Sequence, residues 1–210
     1  MTTLSRPGIY IIGDSISLQY GPYLEEYLKG KIAYSRKEGR EEAMLDLDRP
    51  AGANGGDSGM VLDFLQQMKA QDGIQADILV VNCGLHDIKV EAATGIRQVS
   101  IENYAGNLEA ILQLADEMGK PFIWIRTTPC DEKVHNREGM EIHRFAADCD
   151  AYNAVADQIM TQHRIPMIDL HNFTLELGED LYCDHVHFHE HIREKQAQLI
   201  ADWLLDHLGR

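Results

Sequence analysis

Two short stretches carry residue types that can attack a carbonyl and move protons. Near the amino end, Gly13-Asp14-Ser15 directly follows the apolar run Ile9-Tyr10-Ile11-Ile12, and near the carboxyl end the chain reads Asp184-His185-Val186-His187-Phe188-His189-Glu190-His191. A carboxylate three residues before a histidine can turn back onto the same imidazole within one loop. If Asp184 accepts from one ring nitrogen of His187, the other is left basic and aimed outward to take a proton from a serine hydroxyl. Ser15 is the candidate partner, because a serine at a strand's carboxyl end and a helix start sits among free backbone N–H groups that favour developing negative charge. The tripeptide alone says little. Gly56-Asp57-Ser58 repeats it without a preceding apolar strand, and for either serine an ordinary helix cap is the plainer role. The order Ser, Asp, His also occurs in α/β-hydrolases, but the chain contains no G-x-S-x-G elbow.

A scaffold must bring residues 15 and 187 together, and the apolar patterning describes one. Ile9–Ile12, Ile32–Tyr34, Ile78–Val81, Phe122–Ile125 and Met167–Asp169 are short runs without alternation, as expected of strands buried on both faces. Between them, helical spacing places Met60, Val61, Phe64, Leu65 and Met68 on one face, and Ile101, Tyr104, Leu108, Ile111, Leu112 and Ala115 on another. Tyr152 to Met160 and Ile192 to Leu208 continue the pattern. The order β-α-β-α-β-α-β-α-β-α predicts a parallel sheet with helices on both faces, a three-layer α/β/α sandwich. In such sheets ligands bind outside the carboxyl ends of the strands, so functional residues are expected just after each apolar run.

On these residues the chain resembles the SGNH (GDSL-type) hydrolases, whose motif blocks run along the whole length. Ser15 in Gly13-Asp14-Ser15 matches the nucleophile block, Gly56 in Asn54-Gly55-Gly56-Asp57-Ser58 the second block, and Asp184-x-x-His187 the last. The resemblance implies a flavodoxin-like parallel five-stranded sheet and ester hydrolysis through an acyl-serine. It also implies a Ser15-His187-Asp184 triad and an oxyanion hole using the N–H groups of Ser15 and Gly56. It requires no cofactor and no metal. Asp14 and Asp87 would support the site by bonding nearby backbone or fixing loop geometry.

The third block departs from the family pattern. Where G-x-N-D is usual, this chain has Gly84-Leu85-His86-Asp87, so a histidine stands in place of the oxyanion-binding asparagine. A neutral imidazole offers one N–H whose place depends on its tautomer, and a charged one offers two. His86 is therefore a candidate oxyanion donor, with Asp87 available to set its tautomer or charge. The plainer alternative is that His86 packs at the strand end.

Composition narrows the partners. The 210 residues carry 19 Lys and Arg against 34 Asp and Glu, a formal charge of -15, with 44% hydrophobic residues. The length suits one domain over 1–210. No apolar run reaches the ~18 residues of a membrane span, and Met1 to Pro7 is polar, so a cytoplasmic protein is expected. Acidity disfavours nucleic acid and membrane surfaces as partners. A small-molecule ester fits better, with O-acetylated carbohydrate one candidate, while Trp203, Leu204 and Leu208 leave a homo-oligomer contact open. Neither G-x-G-x-x-G nor G-x-x-x-x-G-K-[ST] follows a strand, which disfavours nucleotide binding. Cys83, Cys130, Cys149 and Cys183 are spaced too widely for a metal knuckle and read as buried thiols.

Two rival readings remain at this level. The alternating His185, His187, His189 and His191 could hold a metal, although H-E-x-x-H spacing is absent and the segment runs into a helix that would scatter them. The chain could also be a non-catalytic binding module on the same fold, with His86 as the symptom. Two long connections, 35–56 and 129–147, follow strand-like runs and would overhang the site. The second carries His135, Arg137, His143 and Arg144, which could contact a polar or anionic substrate group, but Asp131, Glu132, Glu138 and Glu141 offset them, so a solvated loop is the plainer expectation there.

Overall fold

The computed structural model describes residues 6–71 and 73–208. The polar Met1 to Pro7 segment lies, up to Ser5, outside the described residues. In chain order the elements are β1 (Gly8–Ile12), α1 (Ser15–Leu28), β2 (Ala33–Arg36), α2 (Arg40–Ala43), α3 (Ser58–Ala70), β3 (Ile78–Val81), β4 (Val90–Glu91), α4 (Ile101–Glu117), β5 (Phe122–Ile125), α5 (Glu132–His135), β6 (Ile142–His143), α6 (Ala146–Gln162), β7 (Met167–Ile168), α7 (Leu170–Glu176) and α8 (Glu190–Leu208).

Five strands form one parallel sheet in the order β2-β1-β3-β5-β7, the flavodoxin-like arrangement. Every residue of β3 and β5 is buried, which is why Ile78-Leu-Val-Val81 and Phe122-Ile-Trp-Ile125 carry no polar alternation. Helices α1, α7 and α8 pack on one face, and α3, α4 and α6 on the other. The side chains between the layers form one large core that includes Trp124, Tyr104, Leu65 and Ile200, each buried completely. Each such aliphatic side chain contributes roughly 1.5–3 kcal/mol relative to exposure.

Register brings the carboxyl ends level. Ile12 pairs with Val81, Val81 with Trp124, and Ile125 with Ile168. The residues that follow these strands therefore crowd one edge. Asn82 ties two of the exits, its backbone N–H donating to the Ile12 carbonyl and its side-chain amide to the Ile125 carbonyl, both at 2.9 Å. Gly84 follows with φ +151°, and a Cβ there would stand 2.3 Å from Thr127 Oγ1, so the turn out of β3 needs a residue without a side chain.

The second strand lies two residues later at its carboxyl end than the apolar run Ile32–Tyr34 predicts. It is the edge strand, and its polar residues are satisfied by neighbours: Ser35 Oγ donates to the Ile9 carbonyl, and Arg36 to the Ser17 carbonyl. Helix α7 and the one-turn helices α2 and α5 have no counterpart in the sequence reading. Nor does the antiparallel β4–β6 pair, which joins the two connections following β3 and β5. Three cysteines are buried as expected, but Cys183 is exposed on the loop before the last helix.

Candidate active site

Ser15 is the first residue of α1, and the local sequence explains why the helix begins there. Asp14 has extended backbone geometry, and its Oδ1 accepts the Ile16 N–H at 3.0 Å, so it is the N-cap. The Ser15 N–H has no acceptor among the described residues. It is one of the free N–H groups of a helix start, where partial positive charge accumulates. Asp14 is 2% exposed, and its Oδ2 is buried without a partner. Burial accordingly pushes its carboxyl above the ordinary carboxylate range.

The loop before α8 delivers the other two groups. His187 Nε2 lies 2.8 Å from Ser15 Oγ, and its Nδ1 lies 2.7 Å from Asp184 Oδ2. Asp184 Oδ1 also accepts the N–H groups of Val186 and His187, at 2.8 and 2.7 Å. Its i+2 and i+3 bonds curl the loop so that the imidazole stands over its own carboxylate. Burial alone would raise the Asp184 pKa, but these donors and the imidazole outweigh it and hold the group below its usual range. The arrangement places the Nδ1 proton on the Asp184 side and leaves Nε2 as an acceptor for the serine hydroxyl. Ser15 and His187 are 6% and 2% exposed, so the contact between them is shielded from bulk water.

Gly56 and His86 approach the same edge. The Gly55 N–H donates to the Gly13 carbonyl at 2.9 Å, which docks the second loop beside the Ser15 turn. Gly56 has φ +70°, and a Cβ would meet Met60 Sδ at 2.5 Å, so only glycine fits. Its N–H donates to Asn54 Oδ1 at 3.0 Å within the loop. The His86 ring has no hydrogen-bond partner among the described residues. Burial, with the cations Lys89 and Arg144 nearby, pushes its pKa well below the usual histidine value, so it is neutral and carries one N–H.

Asp87 does not contact the His86 ring, which corrects the expectation that it sets the tautomer. Its carboxylate faces α3 instead, accepting the Ser58 N–H at 2.9 Å and the Ser58 hydroxyl. Ser58 Oγ also accepts from Asn107 at 2.8 Å and is fully buried. The two Gly-Asp-Ser copies are thus separated by their surroundings: the Ser15 hydroxyl meets an imidazole, and the Ser58 hydroxyl is committed to a carboxylate.

The four alternating histidines diverge. His187 joins Ser15, His185 turns toward Asp48, His189 lies 3.4 Å from Asp180, and His191 stacks on His189 at the start of α8. Among the described residues no three His, Cys, Asp or Glu side chains converge as a metal site.

A second polar cluster beside His187 was not legible as a unit. Arg144 and His135, expected on a solvated loop, are 4% and 1% exposed. Arg144 Nη1 lies 3.0 Å from His135 Nε2, His135 Nδ1 lies 2.8 Å from His185 Nδ1, and His185 Nε2 lies 3.1 Å from Asp48 Oδ2. A guanidinium only donates, so His135 accepts at Nε2 and carries its proton on Nδ1. His185 then accepts at Nδ1 and donates from Nε2 to Asp48. Burial and the Arg144 charge push the His135 pKa down to about 3, while the hydrogen bond from His185 holds Asp48 at about 2. The signal in the sequence was the pair of basic residues 135 and 144, masked by the acids around them.

Comparison with known proteins follows the same lines. The sequence model of the GDSL-like lipase/acylhydrolase family matches residues 11–192. Among curated proteins no sequence matches. The structure is similar to a lipase/acylhydrolase from Enterococcus faecalis, with a TM-score of 0.70 at 19% identity over 96% of this chain and 97% of that one. It is similar to the acetyl xylan esterase AlAXEase, with a TM-score of 0.68 at 14% identity over 94% and 99%. It is similar too to the psychrotrophic esterase EstA of Pseudoalteromonas sp., with a TM-score of 0.66 at 15% identity over 97% and 99%. Among the described residues no helix is long and apolar enough to cross a membrane.

Proposed function

Because this chain belongs to the GDSL-like lipase/acylhydrolase family, an ester hydrolase family, we propose that it is a serine esterase cleaving small carboxylic esters through an acyl-serine. One observation carries the reading: His187 bridges Ser15 Oγ at 2.8 Å and Asp184 Oδ2 at 2.7 Å. As Ser15 Oγ attacks the ester carbonyl, its proton passes to His187 Nε2, and Asp184 stabilises the imidazolium. The oxyanion that forms meets the unengaged Ser15 N–H and the single N–H of neutral His86. The Gly56 N–H is held by Asn54 Oδ1, so its share depends on that bond being exchanged or bifurcated as charge builds. His187 then gives its proton to the leaving alcohol, and water enters and hydrolyses the acyl-serine by the reverse sequence. Asp14 acts as cap of α1 and Asp87 as anchor of α3; neither is a proton carrier. None of these steps calls on a metal or organic cofactor. Similarity in fold to an acetyl xylan esterase supports testing O-acetylated carbohydrates first among soluble substrates.

The test is hydrolysis of 4-nitrophenyl esters from acetate to octanoate by the unaltered protein, Ser15→Ala and His187→Ala. Turnover lost by about 10⁴-fold or more in both variants is expected. Turnover unchanged in Ser15→Ala would overturn the mechanism, and no turnover by the unaltered protein would favour a binding module.

A further inference from the structure

Arg144 is 4% exposed yet forms no ion pair among the described residues. Its guanidinium has two acceptors, both neutral: the Leu85 carbonyl, 2.7 Å from Nε, and the His135 ring, 3.0 Å from Nη1. Nη2 has no acceptor among the described residues. Neither carboxylate whose field reaches it touches it: Asp48 accepts the His185 N–H, and Asp14 caps α1 through Oδ1. Burial pulls the Arg144 pKa down, as expected for a desolvated cation without a touching counter-charge. Such a group is costly unless an anion completes it.

A second cation stands nearby. Lys89 is half-buried, its Nζ reaches, among the described residues, only the Asp48 backbone carbonyl at 3.3 Å, and burial with the Arg144 charge lowers its pKa to about 8. Arg144 and Lys89 line one cavity of about 260 Å³, together with Asp48, His135, Glu141 and His185. That cavity adjoins the reacting groups, because the His185 ring sits edge-on to the His187 ring, 6.1 Å between centroids. Both carboxylates of the lining, Asp48 and Glu141, are exposed, whereas Arg144 is buried and Lys89 half-buried, so positive charge dominates on the buried side of the lining.

We infer that this cavity binds a carboxylate on the alcohol portion of the ester, with Arg144 as its anchor and Lys89 as a second charge. The inference rests on the esterase reading and narrows its substrate class. A guanidinium whose Nη2 is unengaged can donate a charge-assisted hydrogen bond to a carboxylate. The alcohol side is assigned because His187, which hands its proton to the leaving oxygen, is the group that neighbours the cavity through His185. Neither residue touches the reacting atoms; both set specificity.

The test compares 4-acetoxybenzoate with its methyl ester, two acetyl esters that differ in one charge. The unaltered protein is expected to favour the carboxylate by roughly tenfold or more in kcat/KM, mainly through KM, as a charge-assisted pair provides. In Arg144→Gln that ratio falls to near one, and in Lys89→Gln it falls by a smaller factor that shrinks further with salt. Arg144 also braces the Leu85 carbonyl beside His86, and a purely structural role would slow both esters alike and keep the ratio. That result, or equal use of both esters by the unaltered protein, overturns the inference. Lys89→Gln keeps the test readable should Arg144→Gln not fold. If the unaltered protein cleaves neither ester, calorimetric titration with 4-hydroxybenzoate separates the two ideas. Binding weakened in Lys89→Gln and Arg144→Gln upholds the anion site without the esterase, and absence of binding overturns it.

Discussion

Asp87 accepts both the backbone N–H and the hydroxyl of Ser58, bonding the loop after β3 to the first residue of α3 across 29 positions of sequence. The loop that presents His86 is thereby fixed from behind by its neighbour. Burial raises the Asp87 carboxyl to about 7, so the pair is held against a desolvation cost that the Ser58 donors only partly offset.

Ser58→Ala removes the hydroxyl donor and leaves Asp87 with the backbone N–H alone. A loss of about 1–3 kcal/mol in urea unfolding is expected, with fluorophosphonate labelling of Ser15 retained. Labelling that disappears with Ser58 and persists in Ser15→Ala would show that the nucleophile is the other serine.

His86 is buried, neutral and without a hydrogen-bond partner among the described residues, so its N–H is available to an oxyanion. His86→Ala is expected to lower kcat by about 10²- to 10³-fold with little change in KM, and His86→Asn to recover much of that loss. A kcat in His86→Ala within threefold of the unaltered protein would reduce His86 to a packing residue.

His135 and Asp87 link stability to pH with opposite signs over the same window. The folded His135 pKa of about 3 lies below its unfolded value. The unfolded chain therefore binds the extra proton, and the His135 contribution is complete above about pH 6.5 and lost as pH falls toward 3. The folded Asp87 pKa of about 7 lies above its unfolded value. Its contribution is complete at low pH and lost as pH rises through 7. Removing the first term in His135→Gln should make the variant gain on the unaltered protein between pH 6.5 and 4, by up to about 1.4 kcal/mol per pH unit. Urea unfolding at pH 7, 6 and 5 measures this, and parallel stability curves would show that His135 is not proton-linked.

The sheet was legible because burial on both faces leaves little freedom: Ile78–Val81 and Phe122–Ile125 can hardly be anything but central strands. Helix α7 was missed because seven residues carry fewer than two full turns of periodicity, and β4 and β6 because two residues carry no alternation. Ser15, Asp184 and His187 could be selected because two of them are three residues apart and the third ends a strand. The Arg144-His135-His185-Asp48 chain could not, since its links span 9, 50 and 137 positions. Its charges were counted with those of Glu132, Glu138 and Glu141, all exposed, of which only Glu141 shares a cavity with Arg144.

The β4–β6 pairing has a consequence for how specificity can change. Val90 faces His143, Glu91 faces Ile142, and the Ala92 N–H donates to the Glu141 carbonyl at 2.8 Å. The outer wall around Lys89, Glu141 and Arg144 is thus braced on itself, away from the parallel sheet. The two connections form one exchangeable cassette: transplanted together they carry their own pairing, whereas either alone arrives with an open strand edge. On the proposed function, substrate preference travels with the loop that carries His86 and apart from Ser15, Asp184 and His187, which lie on other connections.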